Sequence, residues 1–319
     1  MERRPVGQSD VLISPVGLGG VEVGPFEGEE PDVERAVAVI NAAIDAGINW
    51  IDTSENYLHS RNEALIGAAL AHAGDDFLVS TKVAPRPLIS GGGSGFRRDQ
   101  VRSACQGSLE RLGRDHIDVY FLHWPDDQGV PLEETWGAMA ELVDEGLVRA
   151  IGLSNYMFDD VERCHRQRPV DAIQDGLNLI DYLENRELFS RCGALGIACV
   201  AYDSLSSAVL TNRTREDVLR AWEVYAAHGW THPLLAPEKI DRTYEVVDRL
   251  RAIAERIDAT VAQVAIAWIL SQRGATAALA GTRSPDRARE NAGGASLDIS
   301  AVADEIEALI PLGPAFVEA

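Results

Sequence analysis

The sequence predicts an α/β fold: a (β/α)8 TIM barrel with a short N-terminal β-hairpin and extended βα loops. Three observations carry that prediction. Short apolar runs alternate with amphipathic helical stretches along the whole chain, eight such runs are present, and no composition break or proline-rich linker divides the 319 residues. Alternating β and α units argue for a parallel sheet, and eight of them argue for closure, since a barrel takes about 250 residues plus insertions. The chain is therefore expected to form one domain over residues 1–319.

Taken in order, Arg4-Pro5-Val6-Gly7 and Val11-Leu12-Ile13 flank a Gln-Ser-Asp turn and read as a hairpin ahead of the barrel. Candidate barrel strands follow at Val16 to Leu18, Trp50 to Asp52, Leu78 to Lys82, Val119 to His123, Ala150 to Ser154, Ala172 to Leu177, Ile197 to Tyr202 and Thr276 to Ala280. Between them, Val33 to Ala46, Glu63 to Ala73, Gln100 to Leu112, Leu132 to Glu145 and Asn185 to Leu195 carry apolar residues near helical spacing. Gly17-Leu18-Gly19-Gly20 lacks the G-x-G-x-x-G spacing of an open dinucleotide-binding sheet and is not followed at once by a helical pattern, so it reads as a tight turn.

Two segments interrupt the rhythm. Arg86 to Gly95 is a glycine-rich loop after the third strand, and Ser204 to Asp241 is a long insertion after the seventh. Both follow strand C-termini, the face on which barrels place active sites. The insertion contains Trp222, Trp230 and a His-Pro pair, which favours an ordered lid over a structureless linker. Helices at Arg242 to Ile257 and Val261 to Ser271 return the chain to the eighth strand, and Ala301 to Ile310 is expected to pack outside as a last helix.

Composition narrows the function. Apolar residues make up 46% and charged residues 25% of the chain, near the soluble globular average. No window approaches the roughly 18 apolar residues of a spanning helix, and no apolar signal core follows Met1-Glu2-Arg3-Arg4, so a cytoplasmic enzyme without membrane partners is expected. A net charge of −21 argues against nucleic acid as a partner and requires any anionic ligand to find a local positive site. Neither the four cysteines nor the seven histidines show metal-ligand spacing, so no metal is expected. Only two of the 29 basic residues are lysines, Lys82 and Lys239, in a chain that otherwise uses arginine. A lysine retained against that bias suits a role that needs a compact ammonium of tunable pKa.

Polar groups collect at the predicted strand ends. Strand two ends in Asp52 with Tyr57 five residues on, strand three ends in Lys82, and strand four ends in His123. A phenol can donate its proton to a developing alkoxide, but its ordinary pKa of about 10 calls for a nearby cation. Lys82 would supply that cation, Asp52 would hold it, and His123 would orient the substrate oxygen. The set describes a proton donor and not a nucleophile, and no G-x-S-x-G elbow is present.

These residues lie in segments that resemble the aldo-keto reductases. Asn49-Trp50-Ile51-Asp52-Thr53-Ser54-Glu55-Asn56-Tyr57, Ser80-Thr81-Lys82, Ser108 to Gly113, Ile117 to Pro125 and Gly152-Leu153-Ser154-Asn155 carry the likeness, with Gln174, Asn178 and Tyr202 in register. It runs from about Arg4 to Asn291, most of the chain. The resemblance implies that NADPH lies across the barrel mouth and passes hydride to a small-molecule carbonyl compound. It further implies that Ser154, Asn155 and Gln174 hold the carboxamide, that Tyr202 stacks on the ring, and that Leu205 belongs to the pyrophosphate loop. Gly281, Thr282, Arg283, Arg287, Glu290 and Asn291 would take the adenosine end, with Arg283 and Arg287 on the 2′-phosphate at a helix N-terminus. Val21, Trp124 and Trp230 are candidates for the substrate wall.

The sequence also departs from the family pattern. Tyr202-Asp203-Ser204-Leu205-Ser206-Ser207-Ala208 replaces a Tyr-Ser-Pro-Leu run followed by glycines, which puts a carboxylate beside the phosphates unless it turns away or meets a base such as Arg213. Leu58 stands where many members have glycine, and Gly281 where some have lysine. Two alternatives share the same residues: a sensor subunit that binds the nucleotide with little turnover, and an alcohol or sugar dehydrogenase working oxidatively. Substrate identity and oligomeric state are left open by the sequence.

Overall fold

A computed structural model describes residues 1–24, 30–73, 77–85, 94–227 and 235–310. Strands β1 (Arg4–Pro5) and β2 (Leu12–Ile13) pair antiparallel, with Arg4 opposite Ile13. Eight parallel strands then close a barrel: β3 (Val16–Gly19), β4 (Trp50–Asp52), β5 (Leu78–Val83), β6 (Ile117–Leu122), β7 (Val148–Ser154), β8 (Ala172–Gly176), β9 (Ala198–Tyr202) and β10 (Ala275–Gly281). Closure falls between the first and last of these, where Leu18 pairs with Ala280 and Gly19 with Gly281.

Helices surround the strands: α1 (Gly20–Val23), α2 (Val33–Asp45), α3 (Arg61–Ala73), α4 (Arg98–Leu112), α5 (Leu132–Asp144), α6 (Phe158–Gln167), α7 (Asn185–Ala194), α8 (Arg215–Ala227), α9 (Ile240–Arg256), α10 (Val261–Ser271), α11 (Pro285–Gly293) and α12 (Ala303–Glu307). Several ends are set by the sequence itself. Asp32 accepts from Arg35 N at 2.9 Å to start α2, Thr260 and Gln263 close a reciprocal capping box on α10, and Ser284 caps α11 with Pro285 in its first turn.

The core has two layers. Inside the barrel, Trp50 and Phe121 face the small residues Ala150, Ala172, Ala198 and Ala277, and the hairpin adds Val6, Val11 and Ile13. Size complementarity decides two glycines: a methyl group at Gly17 would overlap the Trp50 ring, and one at Gly152 the Phe121 ring. Trp50 keeps its indole N–H satisfied by donating to Ser14 O at 3.0 Å. The larger outer layer, between strands and helices, includes Ile51, Ile66, Tyr120, Trp136 and Trp268. Burying each large apolar side chain stabilises the fold by about 1.5–3 kcal/mol. Cys105, Cys164, Cys192 and Cys199 are buried too, and burial pushes the Cys105 and Cys164 thiols up to about 12.

The structure differs from the sequence reading in three places. The glycine-rich end of β3 is followed at once by a helical turn, α1, where a tight turn is expected; Asn62 Nδ2 donates to Gly20 O at 2.9 Å and holds that turn. Helix α6, not named in the sequence reading, is mostly polar and buries Val161 and Cys164, with Phe158 packed against the core. The last helix is shorter than expected, Ala303–Glu307. Within the insertion after β9, α8 places Trp222 half-buried against the core, whereas Trp230 and residues 86–93 of the glycine-rich loop lie outside the described residues. Among the described residues no helix is long and apolar enough to cross a membrane.

Candidate active site

Asp52 ends β4 directly beside Ser80 of β5, and Lys82 follows two residues along β5 on the same side. Lys82 is completely buried, so its charge must be met inside the protein. Its ammonium donates to Asp52 Oδ2 at 2.5 Å, to Thr53 O at 2.7 Å and to the Tyr57 hydroxyl at 3.2 Å. Three donors thus meet three acceptors. The second carboxylate oxygen of Asp52 accepts from Ser80 Oγ at 2.7 Å and Gln174 Nε2 at 2.9 Å. Behind Tyr57 the chain turns through Leu58, His59 and Ser60 with φ of 52°, 54° and 67°, left-handed conformations that glycine would take without strain.

Charge and burial compete at each group. For Lys82, burial opposes the ammonium, but Asp52 and then Tyr57 outweigh it and hold the pKa above the ordinary value. For Tyr57, desolvation is the largest influence and raises the phenol above 10, while the nearby Lys82 pulls it down. The ammonium therefore offsets part of the burial cost and does not lower the phenol below its ordinary value, as a simple cation argument would have it. Burial first, and Lys82 second, push His123 well below 6.5, so its ring is neutral.

His123 follows β6 and stands edge-on to Tyr57 with ring centroids 5.7 Å apart. Trp124 stacks on it at 3.5 Å. Nδ1 of His123 lies 3.0 Å from Ser54 Oγ, a residue that sequence reasoning passes over. Ser54 sits two positions beyond Asp52 on an extended segment and so points to the same side, which is the signal that finds it. Ser54 has one hydroxyl proton and donates it to Asn56 Oδ1 at 2.6 Å. Its oxygen then accepts from Nδ1–H, leaving Nε2 of His123 as an acceptor for a ligand.

The nicotinamide-side candidates join this group. Ser154 is buried at the end of β7, and Asn155 follows with φ 64°. Asn155 Nδ2 donates to His123 O at 2.9 Å, and the half-buried Tyr202 donates to Asn155 Oδ1 at 2.6 Å. The adenosine-side candidates gather separately at the end of β10. Thr282 is buried and accepts from Ser284 N at 3.0 Å; Arg283 is half-buried, Arg287 exposed, Glu290 half-buried and Asn291 buried. Leu205 packs against the outer core, and Val21 is 46% exposed at the mouth.

After β9, Asp203, Ser206, Ser207 and Ala208 all have positive φ, between 46° and 70°. The Asp203 carboxylate accepts from Ser207 N at 2.7 Å, and Asn178 Nδ2 donates to Asp203 O at 3.0 Å. Ser206 N donates to Asp203 O at 2.8 Å, so the Ser206 and Ser207 N–H groups of this turn are both taken by Asp203. A nicotinamide dinucleotide fits what is present. Amide and hydroxyl groups surround a half-exposed tyrosine ring at the barrel centre, and a capped helix N-terminus with two arginines stands at the wall.

This barrel, with a lysine-backed tyrosine at the C-terminal ends of its strands, has the architecture of a barrel oxidoreductase. The chain belongs to the aldo/keto reductase family, whose sequence profile matches residues 15–310. Aldo-keto reductase YhdN of Bacillus subtilis (strain 168) is 31% identical over 291 residues, 89% of this chain and 86% of that one. Probable aldo-keto reductase 1 of Glycine max is 29% identical, over 97% of this chain and 88% of its own length. Among solved structures, the glycerol dehydrogenase AKR11B4 from Gluconobacter oxydans is similar, with TM-score 0.85 and 25% identity over 99% of this chain and 97% of that one. Family membership implies an oxidoreductase.

Proposed function

We propose that this chain, acting as one barrel domain, is an NADPH-dependent reductase of small aldehydes or ketones. The observation that carries the proposal is the completely buried Lys82 held between Asp52 and Tyr57. NADPH, when bound, supplies the hydride. Tyr57 donates its phenolic proton to the substrate oxygen as negative charge develops there, and the ammonium 3.2 Å away stabilises the phenolate left behind. Asp52 fixes that ammonium, and Gln174, bonded to Asp52, ties the proton-donating group to the carboxamide side. Neutral His123, with Trp124 stacked on it, lines the position of the oxygen, and its Nε2 accepts from the hydroxyl once Tyr57 has protonated it. Arg283 and Arg287 favour the 2′-phosphate of NADPH. Steady-state assay of the purified protein against a panel of aldehydes and ketones tests this reading. Tyr57→Phe is expected to lose a factor of about 10²–10⁴ in kcat with cofactor affinity retained. Full activity in that variant, or no NADPH oxidation with any carbonyl class, rejects the proposal.

A second direction has its own support. With Nδ1–H committed to Ser54, Nε2 accepts a hydrogen, which suits an alcohol hydroxyl. A similar solved structure is a glycerol dehydrogenase. The same residues would then run in reverse, and kinetics with alcohols and NADP+ separate the two directions.

A further inference from the structure

Glu22 lies on α1, and its carboxyl rests over the ends of β3 and β10. A methyl group added at Gly281 would overlap that carboxyl, and one at Gly19 would stand 3.3 Å from Oε2. These strand ends form the wall between the proton-donating group and Thr282, Arg283 and α11. A dinucleotide with its nicotinamide at Tyr202 and its adenosine phosphate at α11 crosses this stretch with its pyrophosphate. Asp203 acts on Glu22 from the β9 side. Two acids therefore meet the most highly charged part of the ligand, on a protein of net charge −21.

We propose that Glu22 makes cofactor binding proton-linked: a nicotinamide dinucleotide binds with Glu22 protonated, so that a neutral carboxyl donates to the ligand where a carboxylate would repel it. The inference rests on the nicotinamide reading above. One proton from solvent is taken up for each dinucleotide bound whenever the free protein holds Glu22 ionised.

The surroundings of Glu22 favour this outcome. Although the residue is exposed at the mouth, the flanking walls desolvate its carboxyl, and Asp203 and then Asp52 add negative potential. A bond from its own backbone N–H works the other way, and the net result is a pKa of about 7. Among the described residues no compensating cation acts on it from the packed elements. Lys82 is committed to Asp52, and Tyr57 is held neutral by its raised pKa. Arg283, two residues beyond Gly281, is half-buried and is not among the groups that act on Glu22. On the helices against α1, Arg61 pairs with Glu30, Arg35 with Asp32, and Glu63 with Arg111. The sign follows: below about pH 7 the carboxyl already carries its proton and affinity is level, whereas above it affinity falls by up to tenfold per pH unit.

Protein fluorescence titrations with NADH and NADPH between about pH 6 and pH 9, with calorimetry in two buffers of different ionisation enthalpy, test the proposal. NADH is the cleaner probe, because a 2′-phosphate has its own ionisation near pH 6. The wild type is expected to bind NADH with level affinity below about pH 7 and about tenfold more weakly for each unit above it, taking up nearly one proton at the alkaline end. Glu22→Gln is expected to bind at the alkaline end as tightly as the wild type does at the acid end, with no uptake. Asp203→Asn keeps an acceptor for Ser207 N and moves the wild-type transition to lower pH. Level wild-type affinity across the range, proton uptake unchanged in Glu22→Gln, or weaker binding by that variant overturns the proposal. Failure of every variant to bind either dinucleotide at any pH overturns the nicotinamide reading instead.

Discussion

Ser54 Oγ lies 3.0 Å from Nδ1 of His123, so one serine hydroxyl decides which nitrogen of the pocket histidine carries the proton. Removing the hydroxyl leaves Nδ1 of a buried, neutral ring without that partner and lets both tautomers populate. Ser54→Ala is expected to fold normally, bind cofactor unchanged and lose about tenfold in kcat/KM, equivalent to about 1.4 kcal/mol of transition-state stabilisation. Because an enzyme leaves the equilibrium constant untouched, carbonyl reduction and alcohol oxidation should fall by the same factor. Rates within twofold of wild type in both directions would remove Ser54 from the site.

The pH profile of kcat at saturating cofactor and substrate follows from two shifts. Tyr57 must be protonated to donate, and burial holds its pKa above 10 despite Lys82, so reduction should stay level through neutral pH and fall only in strong alkali. His123 is already neutral well below pH 6.5, so no limb should appear near that value. The apparent affinity for NADPH should weaken above about pH 7 in the same experiments, through Glu22. A bell with an acid limb near 6.5 would contradict the neutral-histidine assignment.

Stability and activity should separate at the buried ion pair. Asp52→Asn leaves the Lys82 ammonium buried without its counter-charge, which typically costs about 3–5 kcal/mol. Its pKa should then fall, since desolvation acts on it unopposed. The double variant Asp52→Asn with Lys82→Met removes the stranded charge and should regain much of the denaturant midpoint while staying inactive. Asp52→Asn as stable as the wild type, or a catalytically competent double variant, would contradict the assigned roles.

Much of this architecture was legible because the strands are short apolar runs whose ends carry the polar residues. Asp52, Lys82 and His123 sit within one residue of observed strand ends, and Gly281 closes the last strand. What escaped depends on details no periodicity encodes. Helix α1 is a single turn held by Asn62 on a distant helix, so neither it nor the placement of Glu22 over Gly281 was visible. Asp203 is plain in the sequence, but its capture of Ser207 N depends on a run of left-handed residues that normally signals glycine. The balance at Tyr57, where burial exceeds the pull of Lys82, is likewise a property of the packed site.

Cofactor choice turns on the arginines of α11. The helix begins at Pro285 after the Ser284 cap, shortly beyond the end of β10, so the positive end of its dipole lies there. Arg283 before the cap and Arg287 three residues after it are the cations nearest this helix start, while Arg289 lies further along and pairs with Asp286 at 3.1 Å. On a chain of net charge −21, such a local pair counts for more than it would on a basic protein. Arg283→Ala and Arg287→Ala should each weaken NADPH binding roughly tenfold or more, as expected for charge-assisted hydrogen bonds, and leave NADH nearly untouched. Equilibrium titration of both dinucleotides against both variants checks this. Equal losses for the two cofactors would mean that the arginines hold the turn and do not read the phosphate, and a wild type without preference would remove the NADPH assignment.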